Sequence, residues 1–294
     1  MHPQQDDWID DGSPRAEWQR RARGRIRSHR RELLHRRTLN RIALAALAGG
    51  IALASLGWYF KDPLPPPASL LPPLLDEPVQ RAISEPAFKA TVDGVSYYVR
   101  PRYAYDIAGL VVSLHQSDAW WDTAHDDARD YLNLMDLCVV WGGNAASGIY
   151  RRVSFSNSEW SCDWSYPSSV DAAAFSLAQI SNNHLLAADA HVAHLLKRIH
   201  KGDQVRLHGM LADYGVMHGS GIPDYLRVSS DTRLDTGNGA CEIVYVTSVE
   251  LLSTGGGTAR FALTLGWLLM LGALVAWLLL PLAPVVHAEG GPPA

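Results

Sequence analysis

The chain has 294 residues, 47% of them hydrophobic, and a formal net charge of −4 from 26 basic and 30 acidic side chains. The apolar residues are concentrated in two long runs and the arginines in residues 1–41, a distribution that excludes a wholly soluble enzyme. No phosphate loop, dinucleotide fingerprint or serine-hydrolase elbow occurs in the sequence, so no motif identifies a reaction.

Residues 1–41 form a basic head with eleven arginines and six acidic residues. Basic residues next to a membrane span stay in the cytoplasm and bind anionic lipid headgroups. Residues 19–37 have the composition of a short basic amphipathic helix at a membrane surface. We therefore expect a partly disordered cytoplasmic head that contacts membrane lipid. Clustered arginines also suit nucleic acid, but their position directly before an apolar run disfavours that partner.

Two segments, residues 42–60 and 260–283, are predicted to be transmembrane helices. Residues 42–60 and 261–280 contain no charged side chain. At a rise of about 1.5 Å per residue each run reaches about 30 Å, the thickness of the hydrocarbon layer of a bilayer. Neither run has the polar stripe that a core helix of a soluble protein carries.

The basic bias of the head also predicts the orientation. Residues 1–41 and the tail, residues 284–294, are expected in the cytoplasm, and residues 61–259 on the other side of the membrane. In a bacterium these locations are the inner membrane and the periplasm. An alternative for the first span stays open, since Ala52-Leu53-Ala54 is similar to a signal-peptide cleavage site. The long head argues against cleavage, because signal peptides begin with a short basic segment.

Residues 80–252 are expected to form one periplasmic α+β domain. The segment before it, residues 61–79, carries seven prolines and is predicted to be a semi-rigid linker. The segment after it, residues 253–259, contains three consecutive glycines and is predicted to be a flexible hinge into the second span.

The domain alternates strand and helix signals. Asp93-Gly94 between two apolar runs predicts a β-hairpin. One helix is predicted over Asp118–Met135 with Ser117 as its N-cap, and another over His184–His200. The remaining predicted strands are Ile107–His115, Asp136–Trp141, Gly148–Phe155, Trp160–Tyr166, Gln204–Tyr214, Tyr225–Ser229 and Cys241–Leu252.

This order of strands, a helix, the alternating strand Gln204–Tyr214 and a last long strand resembles an OB-fold barrel over about residues 110–252. The predicted fold class is therefore α+β, with an OB-like β-barrel as the exported domain between two transmembrane helices. The stretches SNNHLLAADA, GDQVRLHGML and DTGNGACEIVYV are also similar to those of bacterial two-span inner-membrane proteins with an OB-like exported domain. That resemblance implies no activity.

The three cysteines, Cys138, Cys162 and Cys241, all lie in the exported region. In an oxidising compartment two of them should pair. The connectivity stays open, but a Cys138–Cys162 disulfide is favoured because the two are near in sequence and both lie in β segments. One cysteine is then left as a free thiol.

If the free thiol is Cys241, it is a candidate nucleophile with His184 as its base, because an imidazole favours the reactive thiolate. The glycine-rich turn Asp235–Gly239 precedes it and could offer backbone N–H groups to an oxyanion. The simpler interpretation is structural. The glycines then only form a turn, Ser181 or Asn182 caps a helix, and Cys241 is a small core hydrophobe.

The histidines and tryptophans allow two further hypotheses. His191 and His194 are i, i+3 neighbours, and Asp122 and His125 form a similar pair that could complete a metal site if the two helices met. No recognised ligand spacing is present, so no metal is expected. Trp120 lies off the buried face of its predicted helix and is the candidate for an exposed binding surface.

Together these features predict a membrane-anchored periplasmic binding or interaction domain without catalytic activity or cofactor. Its expected partners are membrane lipid and a protein partner, or a second copy held through the spans. One alternative is a Cys/His-dependent hydrolase or transferase at the membrane surface. Another is a subunit of a membrane assembly, in which the small residues Ala46, Gly50 and Ala54 pack against another span.

Overall fold

A computed structural model of the chain describes residues 14–219, 221, 223, 225–232 and 241–279. The described residues form these α-helices: α1 (Pro14–Phe60), α2 (Thr123–Asp127), α3 (Gly142–Ser147), α4 (Ser169–Ala174), α5 (Ala190–Leu196) and α6 (Gly257–Leu279). They form these strands: β1 (Val79–Ala82), β2 (Phe88–Val92), β3 (Val95–Gln116), β4 (Asn133–Val140), β5 (Ser154–Ser158), β6 (Ser161–Ser165), β7 (Ile180–Leu186), β8 (Gln204–Val216) and β9 (Glu242–Ser253). The fold is thus mixed α+β, divided into a helical unit that contains α1 and α6 and a β-rich unit over residues 60–257.

In the helical unit, α1 and α6 are both long and apolar enough to span a membrane. Helix α1 begins at Pro14 and so includes the described part of the basic head. The disorder expected in the head therefore does not extend over residues 14–41.

α1 and α6 approach closely at small residues. A Cβ on Gly50 would lie 2.9 Å from the carbonyl oxygen of Gly266, and a Cβ on Gly266 would lie 2.5 Å from the nitrogen of Ala54. The small-residue face of α1 therefore packs against α6 of the same chain.

The β-rich unit is built on a seven-stranded sheet. The long strand β3 pairs antiparallel with β1, β2, β4 and β8. β4 pairs with β7, β7 pairs in parallel with β9, and β9 pairs with β8. The pairings thus run from β3 through β4, β7, β9 and β8 and return to β3.

The hairpin predicted at Asp93-Gly94 is confirmed. β2 and β3 pair up to Val92 and Val95, and the two turn residues have φ values of 46° and 77°. A left-handed turn of this kind costs glycine little, which is why the Asp-Gly pair predicts it.

The helix predicted over Asp118–Met135 is wrong over most of its length. Only Thr123–Asp127 is helical, its N-cap is Asp122 rather than Ser117, and Asn133–Val140 is the strand β4. All residues of β4 are buried. A strand that is covered on both faces has a continuous apolar sequence. The spacing of its hydrophobic residues therefore does not distinguish it from a buried helix.

The helix predicted over His184–His200 is shorter than expected for the same reason. Residues 180–186 form the buried strand β7, and helix α5 begins only after Asp189, whose carboxylate accepts the N–H groups of His191 and Val192 at 2.9 Å. Ser181 and Asn182 therefore cap no helix. His184 lies in a central strand, and this placement decides its neighbours.

Two predicted strands also differ. Gly148–Phe155 begins as a 3-10 turn, and β5 starts at Ser154. Tyr225–Ser229 contributes a single β-bridge, between Arg227 and Tyr214 of β8.

The proline-rich segment belongs to the β-rich unit, packs against its sheet and is not a free spacer. Leu74 is fully buried, the Tyr150 hydroxyl donates to the carbonyl of Pro65 at 2.6 Å, and Trp141 Nε1 donates to Glu77 at 3.0 Å. The segment contains two short 3-10 helices, Pro67–Ser69 and Pro72–Leu75, and its leucines pack in a core cluster with residues of β3 and β4.

Candidate functional site

Three polar residues occupy neighbouring positions across the buried centre of the sheet. Asp136 of β4 lies directly opposite His115 of β3 on one side and His184 of β7 on the other. Directly opposed residues project from the same face of a sheet, so the register alone brings these three side chains together. A carboxylate at a fully buried position is retained only when it is paired.

Asp136 and His184 form a buried ion pair, in which His184 Nδ1 donates to Asp136 Oδ1 at 2.5 Å. Burial lowers the pKa of His184, but the Asp136 carboxylate and a hydrogen bond with Cys241 outweigh it and raise the pKa to about 9. Burial raises the pKa of Asp136, but the His184 imidazolium outweighs this effect and lowers the pKa below its usual range. At neutral pH the pair is therefore charged.

Cys241 lies on the other side of His184 from Asp136, so that a carboxylate, an imidazole and a thiol follow one another in the site. The parallel pairing of β7 with β9 places Asn183 opposite Glu242, so Cys241, the residue before Glu242, lies beside Asn182. The Asn182 amide nitrogen lies 3.7 Å from Cys241 Sγ, and the carbonyl of Trp160 lies 3.9 Å from the same sulfur. Cys241 is free and partly exposed. A partly exposed thiol next to an imidazolium is the arrangement that activates a cysteine.

A second polar cluster adjoins the first. Asp122 Oδ2 accepts hydrogen bonds from His115 Nε2 at 2.6 Å and from His125 Nδ1 at 2.7 Å. These three ligand atoms lie within 4.8 Å of one another, a spacing that a metal ion could bridge.

Asn133 connects the two clusters and determines the state of the second. Its amide nitrogen lies 3.2 Å from both His125 Nε2 and Asp136 Oδ1. Because a carboxylate only accepts, the amide NH₂ faces Asp136 and also donates to His125 Nε2. His125 then carries its proton on Nδ1, the atom that a metal would need unprotonated. The cluster is thus suited to a hydrogen-bonded chain that supports Asp136.

The β5–β6 hairpin covers this site. Its two-residue turn ends at Trp160, which has a φ of 59°, a conformation that is costly for a bulky residue and is typical of functional sites. The Trp160 ring lies 4.5 Å from the ring of His125 and 5.0 Å from the Arg227 guanidinium. Cys138 of β4 and Cys162 of β6 lie at disulfide distance, so the favoured pair ties the hairpin to the main sheet.

The structure brings together Cys241 and His184, which the sequence offered as nucleophile and base. It does not bring His191 and His194 to Asp122, because both histidines are exposed on α5 while Asp122 and His125 meet His115 instead.

Trp120, the candidate for an exposed binding surface, is 89% exposed, and its ring contacts the ring of Trp121 edge-on. The turn Asp235–Gly239 lies outside the described residues.

Sequence reasoning missed Asp136, Asn133 and Arg227 as members of the site. A signal for Asp136 existed, since it is the only charged residue in the apolar stretch NLMDLCVV. A single carboxylate inside a buried strand indicates a partner within hydrogen-bond distance.

No protein-family model, curated protein or solved structure matches this chain.

Proposed function

We propose that this chain is a membrane-anchored hydrolase or acyltransferase that uses Cys241 as nucleophile, His184 as general acid and base, and Asp136 as the residue that orients and charges His184. The observation that carries this proposal is the buried imidazole of His184, placed between the Asp136 carboxylate and the Cys241 thiol. Three groups in this order are the constellation needed for thiol-dependent acyl transfer.

In the proposed reaction, the Cys241 thiolate attacks the carbonyl carbon of a substrate and forms a tetrahedral oxyanion. The amide N–H of Asn182, 3.7 Å from the sulfur, is placed to donate to that oxyanion. The intermediate collapses to a thioester, and His184 gives its proton to the leaving group. His184 then takes a proton from water, and the hydroxide attacks the thioester carbonyl. The acid is released, Cys241 leaves as the thiolate, and His184 is protonated again as at the start.

For the β-rich unit we propose an OB-like closed barrel, located in the periplasm. The return of strand pairing from β8 to β3, the parallel β7–β9 pair and the position of α5 between β7 and β8 support the barrel. The basic residues before the first span support the location, because such residues stay in the cytoplasm. We further propose that the anchor is the bacterial inner membrane.

The test is acylation of the full chain in detergent by p-nitrophenyl acetate, followed by peptide mass spectrometry without reduction. We expect a burst of p-nitrophenol and an acetyl group on Cys241. Asp136→Asn should slow acylation by about 10²-fold or more, because the isosteric amide cannot charge His184. The matched control is His191→Gln, which changes an exposed histidine and should leave the rate unaltered. Acetylation of Cys241 at the same rate in Asp136→Asn and in the parent chain would overturn the proposal.

A second candidate function, binding of a protein partner without catalysis, is favoured by one observation. Trp120 and Trp121 are both largely exposed and lie next to each other on the loop before α2. Exposed tryptophan pairs are frequent anchors of interfaces. Cross-linking through a photoreactive tryptophan analogue at position 120 should then give one defined cross-linked protein. The absence of any cross-linked protein would contradict this function.

A further inference from the structure

A pocket of about 430 Å³ opens on the β-rich unit next to the Cys241 site. Trp160 belongs to both places, since it lines the pocket and its carbonyl oxygen lies 3.9 Å from Cys241 Sγ. The polar and aromatic side chains that line the pocket are those of Asp130, Trp160, Tyr214, His218, Tyr225 and Arg227. A pocket that shares a wall with a nucleophile is the place where the non-reacting part of a substrate binds.

Among the described residues that line this pocket, Arg227 supplies a guanidinium group. Its guanidinium lies over the Trp160 ring and is 3.7 Å from Asp130 Oδ2, beyond ordinary hydrogen-bond distance. Burial lowers the pKa of Arg227, but Tyr214 and the carboxylates of Asp130 and Asp136 outweigh it, so the group stays charged. Asp130 Oδ2 is already occupied at 2.6 Å by the Tyr214 hydroxyl. The planar fork of Arg227 is therefore oriented but not saturated, and a carboxylate matches that fork.

Asp130, which also lines the pocket, has a hydrogen-bond acceptor without a donor. Its other oxygen, Oδ1, is buried and has no hydrogen-bond partner among the residues that the structure describes. Leaving a buried acceptor without a donor destabilises the site, and a ligand N–H that reached it would remove that cost. The pocket lining thus combines the Asp130 carboxyl group, one oxygen of which has no partner among the described residues, with the Arg227 guanidinium 3.7 Å from the other oxygen. Trp160, whose ring lies under that guanidinium, lines the same pocket.

We propose that this pocket binds the free carboxyl end of a peptide or N-acylated amino acid, with the carboxylate on Arg227, the neighbouring amide N–H on Asp130 Oδ1 and an apolar side chain against Trp160 and Tyr225. This inference deepens the function proposed above and rests on it for the reaction: Cys241 would cleave an acyl bond close to a free carboxylate. The binding step itself does not require the thiol.

The test is isothermal titration of the full chain in detergent with a matched pair of probes, N-acetyl-phenylalanine and N-acetyl-phenylalaninamide. The acid should bind about tenfold or more tightly than the amide, because only the acid offers a carboxylate to the guanidinium. An N-methylated form of the acid, which lacks the amide N–H, should bind several-fold more weakly than the parent acid.

Variants separate the residues. Arg227→Gln should abolish the preference for the acid, and Arg227→Lys should restore part of it, since lysine keeps the charge and loses the fork. Arg206→Gln is the control, because Arg206 is an arginine paired with a carboxylate, that of Asp106, near the other end of β8 and does not line the pocket. Tyr225→Ala, at a largely exposed residue, should weaken the acid and the amide equally without a folding defect.

Equal affinity for the acid and the amide, or a preference that persists in Arg227→Gln, would overturn the inference. The same titrations in Cys241→Ala distinguish it from the proposed reaction. Selective binding of the acid in that variant supports the pocket whether or not acylation is found, and acylation without selectivity supports the reaction alone.

Discussion

At the scale of single residues, the site depends on the carboxylate of Asp136, a charged group that is fully buried. Asp136 has no exposed surface, and one of its oxygens, Oδ2, has no hydrogen-bond partner among the described residues. Removing His184 would leave this carboxylate unpaired, at a cost of about 3–5 kcal/mol. His184→Gln is therefore expected to damage folding, and Asp136→Asn is the cleaner probe because the amide is neutral and has nearly the same shape.

The same pair predicts a loss of stability at alkaline pH. The folded pKa of His184, about 9, lies above the roughly 6.5 of an unfolded histidine, so its contribution is complete below about pH 6.5 and is lost as the pH rises through about 9. The size is on the order of 3 kcal/mol. The lowered pKa of Asp136 predicts a loss of stability at acid pH. The contribution of Asp136 to the free energy of unfolding is present above about pH 4 and is lost as the pH falls through the pKa of the folded protein.

The measurement is the urea midpoint of the full chain in detergent at about pH 7 and about pH 10. The parent chain should lose stability between the two, and Asp136→Asn should lose much less, because its His184 is no longer held charged. An equal alkaline loss in both chains would show that other groups cause it.

At the scale of elements, the β5–β6 hairpin is joined to the main sheet by a covalent bond. It pairs only with itself as a two-stranded sheet, and the Cys138–Cys162 disulfide attaches it to β4. Its turn residue Trp160 contacts both His125 and Arg227, so the position of the hairpin determines how the site is covered.

Loss of this disulfide should lower stability and uncover the thiol. Closing a loop of 24 residues is worth about 3 kcal/mol in chain entropy, or roughly 6–12 °C in melting temperature for a domain of this size. Cys138→Ala combined with Cys162→Ala should show this loss, and Cys241 should react faster with a maleimide. Adding a reductant should reproduce both effects in the parent chain and change nothing in the double variant. An unchanged melting temperature in the reduced parent chain would contradict this account.

At the scale of the whole molecule, the two candidate spans are joined through small residues. Gly50 faces Gly266 at contact distance, and a Cβ on the adjacent Gly49 would meet no atom within 4 Å. Of these two neighbours, Gly50 therefore lies against α6 and Gly49 does not.

Gly50→Leu should destabilise the helix pair by about 1–3 kcal/mol through overpacking, whereas Gly49→Leu should have little effect. Thermal denaturation of the full chain in detergent, followed by circular dichroism at a helix wavelength, measures this difference. Similar melting curves for the two variants would show that α1 and α6 are not held together at this face.

The sequence by itself determined the features that depend on neighbouring residues or on composition: two apolar segments of span length, the Asp93-Gly94 hairpin, the later strands β8 and β9, and the mixed α+β class. It also singled out Cys241 and His184, because residue type alone limits which side chains can act as nucleophile and base. Only the tertiary structure decided that His184 lies in a strand, opposite Asp136 and one strand away from Cys241. The physical reason is that β4 and β7 are buried on both faces and carry no periodicity, so their register follows from long-range pairing.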